Sequence, residues 1–364
     1  MHGARAAGVL DVAEDLRHLA RLSDALGLLE HADHDRPRRE HGYCVDDNAR
    51  AVIVVDHERG RSDIADGLSA RCLAFVLDAQ APDGSFHNRR SVDGRWTDAP
   101  ATGDHWGRAL WALGVVAAGT ARATTARVRA AFLRGARHRS PHPRAMAYAA
   151  LGAAELLGGA PSAREAVAAR ELLVDAVATI GRGGDPGWPW PAPRLTYANA
   201  RLPEALIAAG VALRDAGALA DGLTLLRWLV ATESSAGMVP RTTRPTSGRR
   251  AGHLSFTSTA GWGRGEPRPA FDQQPIEAWA LADAAGRALH ATCDPYWCEV
   301  VEGCSAWFEG ANDAGLPLRD AVTGGGCDGL TADGRNENQG AESTLAMIAT
   351  MQRARDARVA ALPV

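Results

Sequence analysis

The chain has 364 residues and a net charge of −3, with its charges scattered, so a nucleic-acid partner is not expected. All 40 basic residues are arginine, which excludes lysine Schiff-base chemistry and a lysine-bearing phosphate loop. Met1 to Val12 lacks a basic segment followed by an apolar core, and apolar runs such as Ala109–Gly119 are too short to cross a bilayer, so a cytoplasmic protein without a membrane partner is expected.

Ala, Leu and Val recur at spacings of three and four, and strand signals are sparse. The pattern predicts helices at about 11–30, 47–58, 64–80, 105–120, 123–136, 143–157, 163–180, 201–215, 218–233, 275–290, 295–309 and 340–356. Those at 11–30, 64–80 and 163–180 carry charge on one face, as outer helices do; those at 105–120, 143–157 and 275–290 are poorer in charge, as inner helices are. Polar anchors Asp47, Arg108, Arg144, Asn199, Asp272 and Glu342 recur about 36 to 73 residues apart, room for one helical hairpin each. The expected fold is therefore all-α: an (α/α)6 toroid of six helical hairpins, one domain over residues 1–364 with its core at about 11–356. Short β-hairpins are expected in the rim loops, one of them around Asp93-Gly94. The loops at Gly183–Pro193 and Arg241–Arg268 carry Trp188, Trp190 and Trp262, which suits ordered walls of a cleft.

The chemistry-bearing clusters fall where the inner helices begin. Asp46 and Asp47 stand at the first; they suit capping, or one caps while the other faces the bowl. Arg50, three residues after Asp47, shares its helix face and would hold a carboxylate ionised. Asp104, His105, Trp106 and Arg108 place a candidate acid, an imidazole, a flat aromatic and a guanidinium within five residues. Asp104 equally suits an N-cap, Trp106 the core and His105 a hydrogen-bonded wall. Arg144 has no evident partner in sequence and suits either a rim ion pair or a substrate contact. Trp190, Tyr197, Asn199 and Arg201 form a third group, with Glu204 suited to the helix dipole. Asp272, Gln273 and Gln274 precede Pro275, a first-turn proline, and Glu277 fits either sugar contact or a capping box. Asn338, Gln339 and Glu342 close the ring; amides both donate to and accept from hydroxyls, and Glu342 equally suits pairing with a rim arginine.

Six cysteines show no Cys-x-x-Cys pair, and the histidines lack metal-ligand spacing, so neither a structural zinc nor any other metal or cofactor is expected. No Gly-x-Gly-x-x-Gly, Gly-x-Ser-x-Gly or His-Glu-x-x-His motif occurs. The residue types converge on carbohydrate chemistry: paired carboxylates for glycosidic cleavage, Arg and amides for hydroxyls, tryptophans for stacking. The expected catalytic pair is Asp272 with one of Asp46, Asp47 or Asp104. Arg108, Arg201, Gln273, Gln274 and Asn338 would orient the sugar; Trp106, Trp190 and Trp262 would stack on it. A glycan-binding subunit without turnover, and a sugar epimerase using His105 or another histidine as base, stay open beside the hydrolase.

The segments His41-Gly42-Tyr43-Cys44-Val45-Asp46-Asp47-Asn48-Ala49-Arg50, Trp106-Gly107-Arg108-Ala109-Leu110-Trp111, Pro193-Arg194-Leu195-Thr196-Tyr197, Phe271-Asp272-Gln273-Gln274-Pro275-Ile276-Glu277-Ala278 and Asn338-Gln339-Gly340-Ala341-Glu342-Ser343-Thr344 resemble a bacterial helical-toroid family. Its members are often named glycosyltransferases or are joined to a glycosyltransferase domain. The resemblance spans about residues 40–350 and is similar, in architecture, to the six-hairpin glycosidase superfamily. It implies an oligosaccharide or glycan ligand and a possible glycosyltransferase partner, although no nucleotide-sugar-binding domain is present in this chain. The family usually carries an acid where this chain has Gly103, which implies that Asp104 takes over any role of that acid.

Overall fold

The computed structural model describes residues 12–58, 62–119, 125–181, 185–235 and 252–360. Met1–Asp11, Gly183 and the 241–251 part of the long polar loop lie outside the described residues.

Six helices form an inner ring: α2 (Val45–Asp56), α4 (Asp104–Ala118), α6 (Pro143–Gly158), α8 (Arg201–Leu213), α10 (Pro275–Thr292) and α12 (Ala341–Ala360). Each packs on the next, and α12 returns to α2, so the ring closes. Six more lie outside it: α1 (Val12–Arg21), α3 (Asp63–Asp78), α5 (Thr125–Gly135), α7 (Ala163–Ile180), α9 (Ala216–Thr232) and α11 (Tyr296–Phe308). This is the (α/α)6 toroid expected. The starts obey local chemistry. Pro143 and Pro275 open α6 and α10, where a missing N–H costs nothing. Ser162 and Glu165 form a reciprocal capping box on α7.

One boundary departs from expectation. The helix predicted at 11–30 ends at Arg21. Beyond it the chain is claimed by tertiary hydrogen bonds: Asp24 accepts from Leu26 N at 2.9 Å, and Asn48 of α2 accepts from Leu28 N at 3.0 Å and donates to Leu28 O at 3.2 Å. A periodic apolar pattern remains, but packing overrides propensity.

The rim carries four two-stranded ribbons. Ala32–Asp33 (β1) pairs with Arg36–Pro37 (β2), Tyr43–Cys44 (β3) with Arg89–Arg90 (β4), Arg194–Leu195 (β5) with Trp262–Gly263 (β6), and Gly329–Thr331 (β7) with Gly334–Asn336 (β8), all antiparallel. β4 continues into the turn at Asp93-Gly94, where Gly94 has φ +84° and Trp96 bridges back to Arg90. Among the described residues no helix is long and apolar enough to cross a membrane.

The interior of the ring is not purely aliphatic. Arg201 lies between the faces of Trp111 and Trp279, 4.7 and 5.1 Å from their ring centres, and pairs with Glu204 and with Asp283 at 2.8 Å. Arg353 takes the other oxygen of Asp283. The tightest helix crossing is α4 on α6. A Cβ on Gly114 would stand 2.1 Å from Gly152 O, and one on Gly152 would stand 2.3 Å from Leu110 O. Backbone touches backbone there, so overpacking cannot be relieved by a rotamer change. Gly114→Val is expected to lower stability by about 3 kcal/mol or more. Gly158→Ala, on the same helix pair with open space around it, is expected to be neutral or slightly stabilising. Thermal melts of the two variants check this; equal melting temperatures would contradict the seam.

Candidate active site

The six inner helices all start at the same end of the ring, and their first turns deliver a connected polar cluster. From α2, Asp46 and Asp47 occupy the first turn, but neither caps it. The cap is Cys44, whose Sγ accepts from Asp47 N at 3.4 Å. The two carboxylates are thereby free for longer contacts. Asp47 pairs with Arg50 at 2.6 Å, one helical turn on. Asp46 reaches across to Arg108 of α4 and also accepts from Asn88 Nδ2 at 3.1 Å. Asp104, the first residue of α4, follows Gly103 as cap residue and caps nothing itself.

Tyr197, just before α8, ties the sides together. Its hydroxyl accepts from Arg50 Nη2 at 2.6 Å and from Arg108 Nη2 at 2.7 Å, and donates to Glu342 of α12 at 3.2 Å. Arg50 also pairs with Glu342 at 2.6 Å. Tyr148 of α6 accepts from Arg108 at 2.9 Å, with the guanidinium 4.2 Å above its ring. Arg144, one turn before Tyr148, donates to Thr196 Oγ1 at 2.6 Å and lies 4.0 Å from Asp104. Four of the six inner helices, α2, α4, α6 and α12, and the segment before α8 thus contribute side chains to one network.

Exposure separates the carboxylates. The side chains of Asp104 and Glu342 are 29% and 30% exposed and that of Asp46 is 18% exposed, whereas Asp47 is closed off at 2%. Asp104 has Arg108 at 3.8 Å and Arg144 at 4.0 Å but, among the described residues, makes no hydrogen bond. Burial disfavours the Asp46 anion, but the Arg108 and Arg50 guanidiniums outweigh it and hold the carboxyl below its usual range. Burial dominates at Asp47 and, with Glu342 and Glu30 nearby, pushes it up to about 6 despite Arg50. Burial also drives the Tyr197 phenol well up against the pull of both arginines, so it stays a neutral hydroxyl.

Several expected contacts sit elsewhere. Trp106 is fully buried and donates its indole N–H to Gly135 O at 3.1 Å, so it is a core residue and not a stacking platform. Arg201 is buried beneath the cluster among its acids and tryptophans. Gln273 is buried too: its Oε1 accepts from Phe256 N and Trp307 Nε1, and its Nε2 donates to Ala270 O and Asp313. Gln339 spends its amide on Thr323 and Asp320. The amides of Gln273 and Gln339 are structural ties, because their oxygen and nitrogen atoms already have partners. Glu277 is likewise closed off; it accepts from the backbone N–H groups of Ala198 and Asn199, and so holds the turn carrying Tyr197. Ala198 takes φ +46° in that turn. Asn338 accepts from His34 N, Gln274 is the cap residue of α10 without a side-chain bond, and Trp262 bonds Glu266 O and packs edge-on to Trp188. His105 Nε2 is 2.9 Å from Phe86 O, the wall role. Asp272 is exposed; its main-chain oxygen accepts from Thr259 N, and its side chain does not join the network. Tyr148 is the site member that the sequence reading misses; it lies four residues after Arg144, which that reading leaves open to a rim ion pair or a substrate contact. Their spacing of four, placing both on one helix face, was the available signal.

Beside the cluster opens a cavity of about 320 Å³ lined by Asp104, Arg144, Trp190, Arg194, Thr196 and Asn199 among others. A larger cavity of about 890 Å³ lies at the opposite end of the ring, but its acids are engaged: Asp283 by Arg201 and Arg353, Glu155 by Arg287. Glu30, Cys44 and Asp47 bring ligand atoms within 4.8 Å of one another, yet Arg89 and Arg50 already neutralise the two acids, and the Cys44 thiol donates to Asp47 at 3.2 Å. That grouping is an ion-pair network and does not call for a cation.

The Glu277 clamp has a pH cost. Burial and the nearby Glu233 carboxylate raise Glu277 to about 8, against the two backbone donors. A folded-state pKa above the unfolded one stabilises the fold at low pH, and that contribution is lost as pH rises through about 8. The melting temperature is therefore expected to fall between pH 5 and 9. Glu233→Gln, which keeps the acceptor for Thr257 but removes the charge, should make that fall shallower. A variant with an equal or steeper fall would contradict this coupling.

No family model matches the chain, and no curated protein matches it. Solved structures do. A D-mannose isomerase aligns over 97% of this chain and 100% of its own, with a TM-score of 0.67 at 8% identity. The cellobiose 2-epimerase of Bacillus thermoamylovorans aligns over 95% and 99%, with a TM-score of 0.66 at 10% identity. The GH76 α-mannanase of Bacteroides thetaiotaomicron aligns over 96% and 95%, with a TM-score of 0.63 at 11% identity. At such identities the likeness is one of fold: the chain has the six-hairpin toroid architecture of these sugar-handling enzymes.

Proposed function

We propose that this chain is a glycoside hydrolase that cleaves its substrate between Asp46 and Asp104. The observation that carries the reading is the sharing of one guanidinium, Arg108, by two carboxyl groups in different surroundings. Asp46 is hydrogen-bonded to Arg108 and kept ionised; Asp104 stands further off, open to solvent and without a hydrogen bond. Glycosidic cleavage needs that asymmetry, one group to give a proton to the leaving oxygen and one to stay anionic on the other side of the bond. In this reading Asp104 is the acid and Asp46 the base or nucleophile. Asp47 and Glu342 position Arg50, and Tyr197 spaces the two arginines. The second acid accordingly moves from Asp272, which lies outside the network, to Asp104.

A sugar epimerase or isomerase is the second reading, favoured by the names of two of the neighbouring structures. It needs a base for a carbon-bound proton, and His105 faces a backbone carbonyl instead. An accessory glycan-binding role beside a glycosyltransferase rests on the sequence resemblance alone.

Incubation with α- and β-linked gluco-, manno- and galacto-oligosaccharides, scored for new reducing ends, is expected to show hydrolysis of at least one. Asp46→Asn and Asp104→Asn should each lower kcat by roughly 10²-fold or more, with the melting curve of Asp104→Asn close to that of the parent. Asp272→Asn should stay within about tenfold of the parent. An isomerised product without new reducing ends would select the epimerase. Near-parent turnover in Asp104→Asn would overturn the assignment of the acid.

A further inference from the structure

Just before α2, tertiary structure joins two histidines that stand ten residues apart in the chain, His31 and His41. The bridge between Leu29 and Tyr43, with the bond from Glu30 N to Gly42 O at 3.1 Å, runs the two sections antiparallel. That register sets His31 opposite His41 on one face of the ribbon. Further backbone ties hold both ends. Arg38 N donates to His31 O at 2.8 Å. Gly42, at φ +70°, packs so closely that a Cβ would stand 2.4 Å from Arg90 O. The two imidazoles meet at 81° with ring centres 4.9 Å apart, and their Nδ1 atoms are 3.1 Å from each other. Both residues are exposed. Two ring nitrogens at that separation need a proton or a cation between their lone pairs.

We propose that His31 and His41 bind a divalent transition-metal ion through their Nδ1 atoms. With metal–nitrogen bonds of about 2.1 Å, the observed gap gives an N–metal–N angle of roughly 100°, between the octahedral and tetrahedral values. Imidazole suits nickel, copper and zinc, whereas magnesium and calcium seek oxygen. Two carboxyl groups flank the pair. Glu30 Oε2 lies 3.9 Å from His31 Nδ1. Asp328 is the other: burial raises its carboxyl, and His31 is among the neighbours that pull it back. Glu30 is already paired with Arg89, so the protein ligands are the two imidazoles, and water fills the remaining positions. The site is therefore separate from the grouping of Glu30, Cys44 and Asp47. A metal here clips the ribbon that leads into α2 and stands beside the Glu30–Arg89 pair at the edge of the mouth. The assignment does not depend on the hydrolase reading.

Calorimetric titration of the full chain with Ni²⁺, alone and in competition with Mg²⁺, tests this. The parent is expected to bind Ni²⁺, and Mg²⁺ is not expected to displace it. His31→Gln and His41→Gln should each weaken that binding about tenfold or more. Both side chains are exposed, so neither substitution disturbs the core. His290→Gln, exposed in the cavity at the far end of the ring, should bind as the parent does. Only the folded ribbon brings the two nitrogens together, so saturating Ni²⁺ should raise the melting temperature of the parent and of His290→Gln. It should not raise that of the other two variants. Parent-like Ni²⁺ affinity in either His31→Gln or His41→Gln would overturn the site. No binding by the parent, or displacement of Ni²⁺ by equimolar Mg²⁺, would do the same.

Discussion

A closed ring of helices forces like charges together, and buried guanidiniums make that tolerable. The first turns of the inner helices bring Asp46, Asp47, Asp104 and Glu342 to one mouth, and four carboxylates could not ionise there unaided. Arg50 and Arg108 resolve it by each spanning acids from different helices, with Tyr197 between them. The same device recurs deeper in the ring, where Arg201 and Arg353 share Asp283. Removing one partner of such a pair leaves a buried charge uncompensated, so fold and site depend on the same bonds.

Division of labour follows from depth. Asp47, Glu277, Gln273 and Gln339 are closed to solvent and spend their polar atoms on neighbouring backbone or side chains. Glu277 fixes the turn from which Tyr197 and Asn199 emerge. The shallower Asp104 is open to solvent, and its carboxyl makes no hydrogen bond among the described residues.

Much of this was legible in the residues. The alternation of charged and uncharged apolar helices reads directly as outer and inner rings, and the polar clusters before Val45, Asp104 and Pro275 mark the mouth. Angular position was not legible. A polar residue in a first helical turn can face the axis, a neighbouring helix or the rim, and periodicity does not say which; Arg201 and Gln273 turned inward to buried partners, while Arg144 and Tyr148 faced the site. Trp106 followed its helix face into the core. The early end of α1 reflects Asn48 capturing Leu28, a contact across 20 residues that no local pattern encodes.

The most direct test of the account is a crystal structure of Asp104→Asn with a slowly cleaved oligosaccharide bound. The account predicts the glycosidic oxygen within hydrogen-bond reach of residue 104 and the sugar's opposite face turned to Asp46. A saccharide bound at the far end of the ring, or with its scissile oxygen beside Asp272 and remote from Arg108, would contradict it.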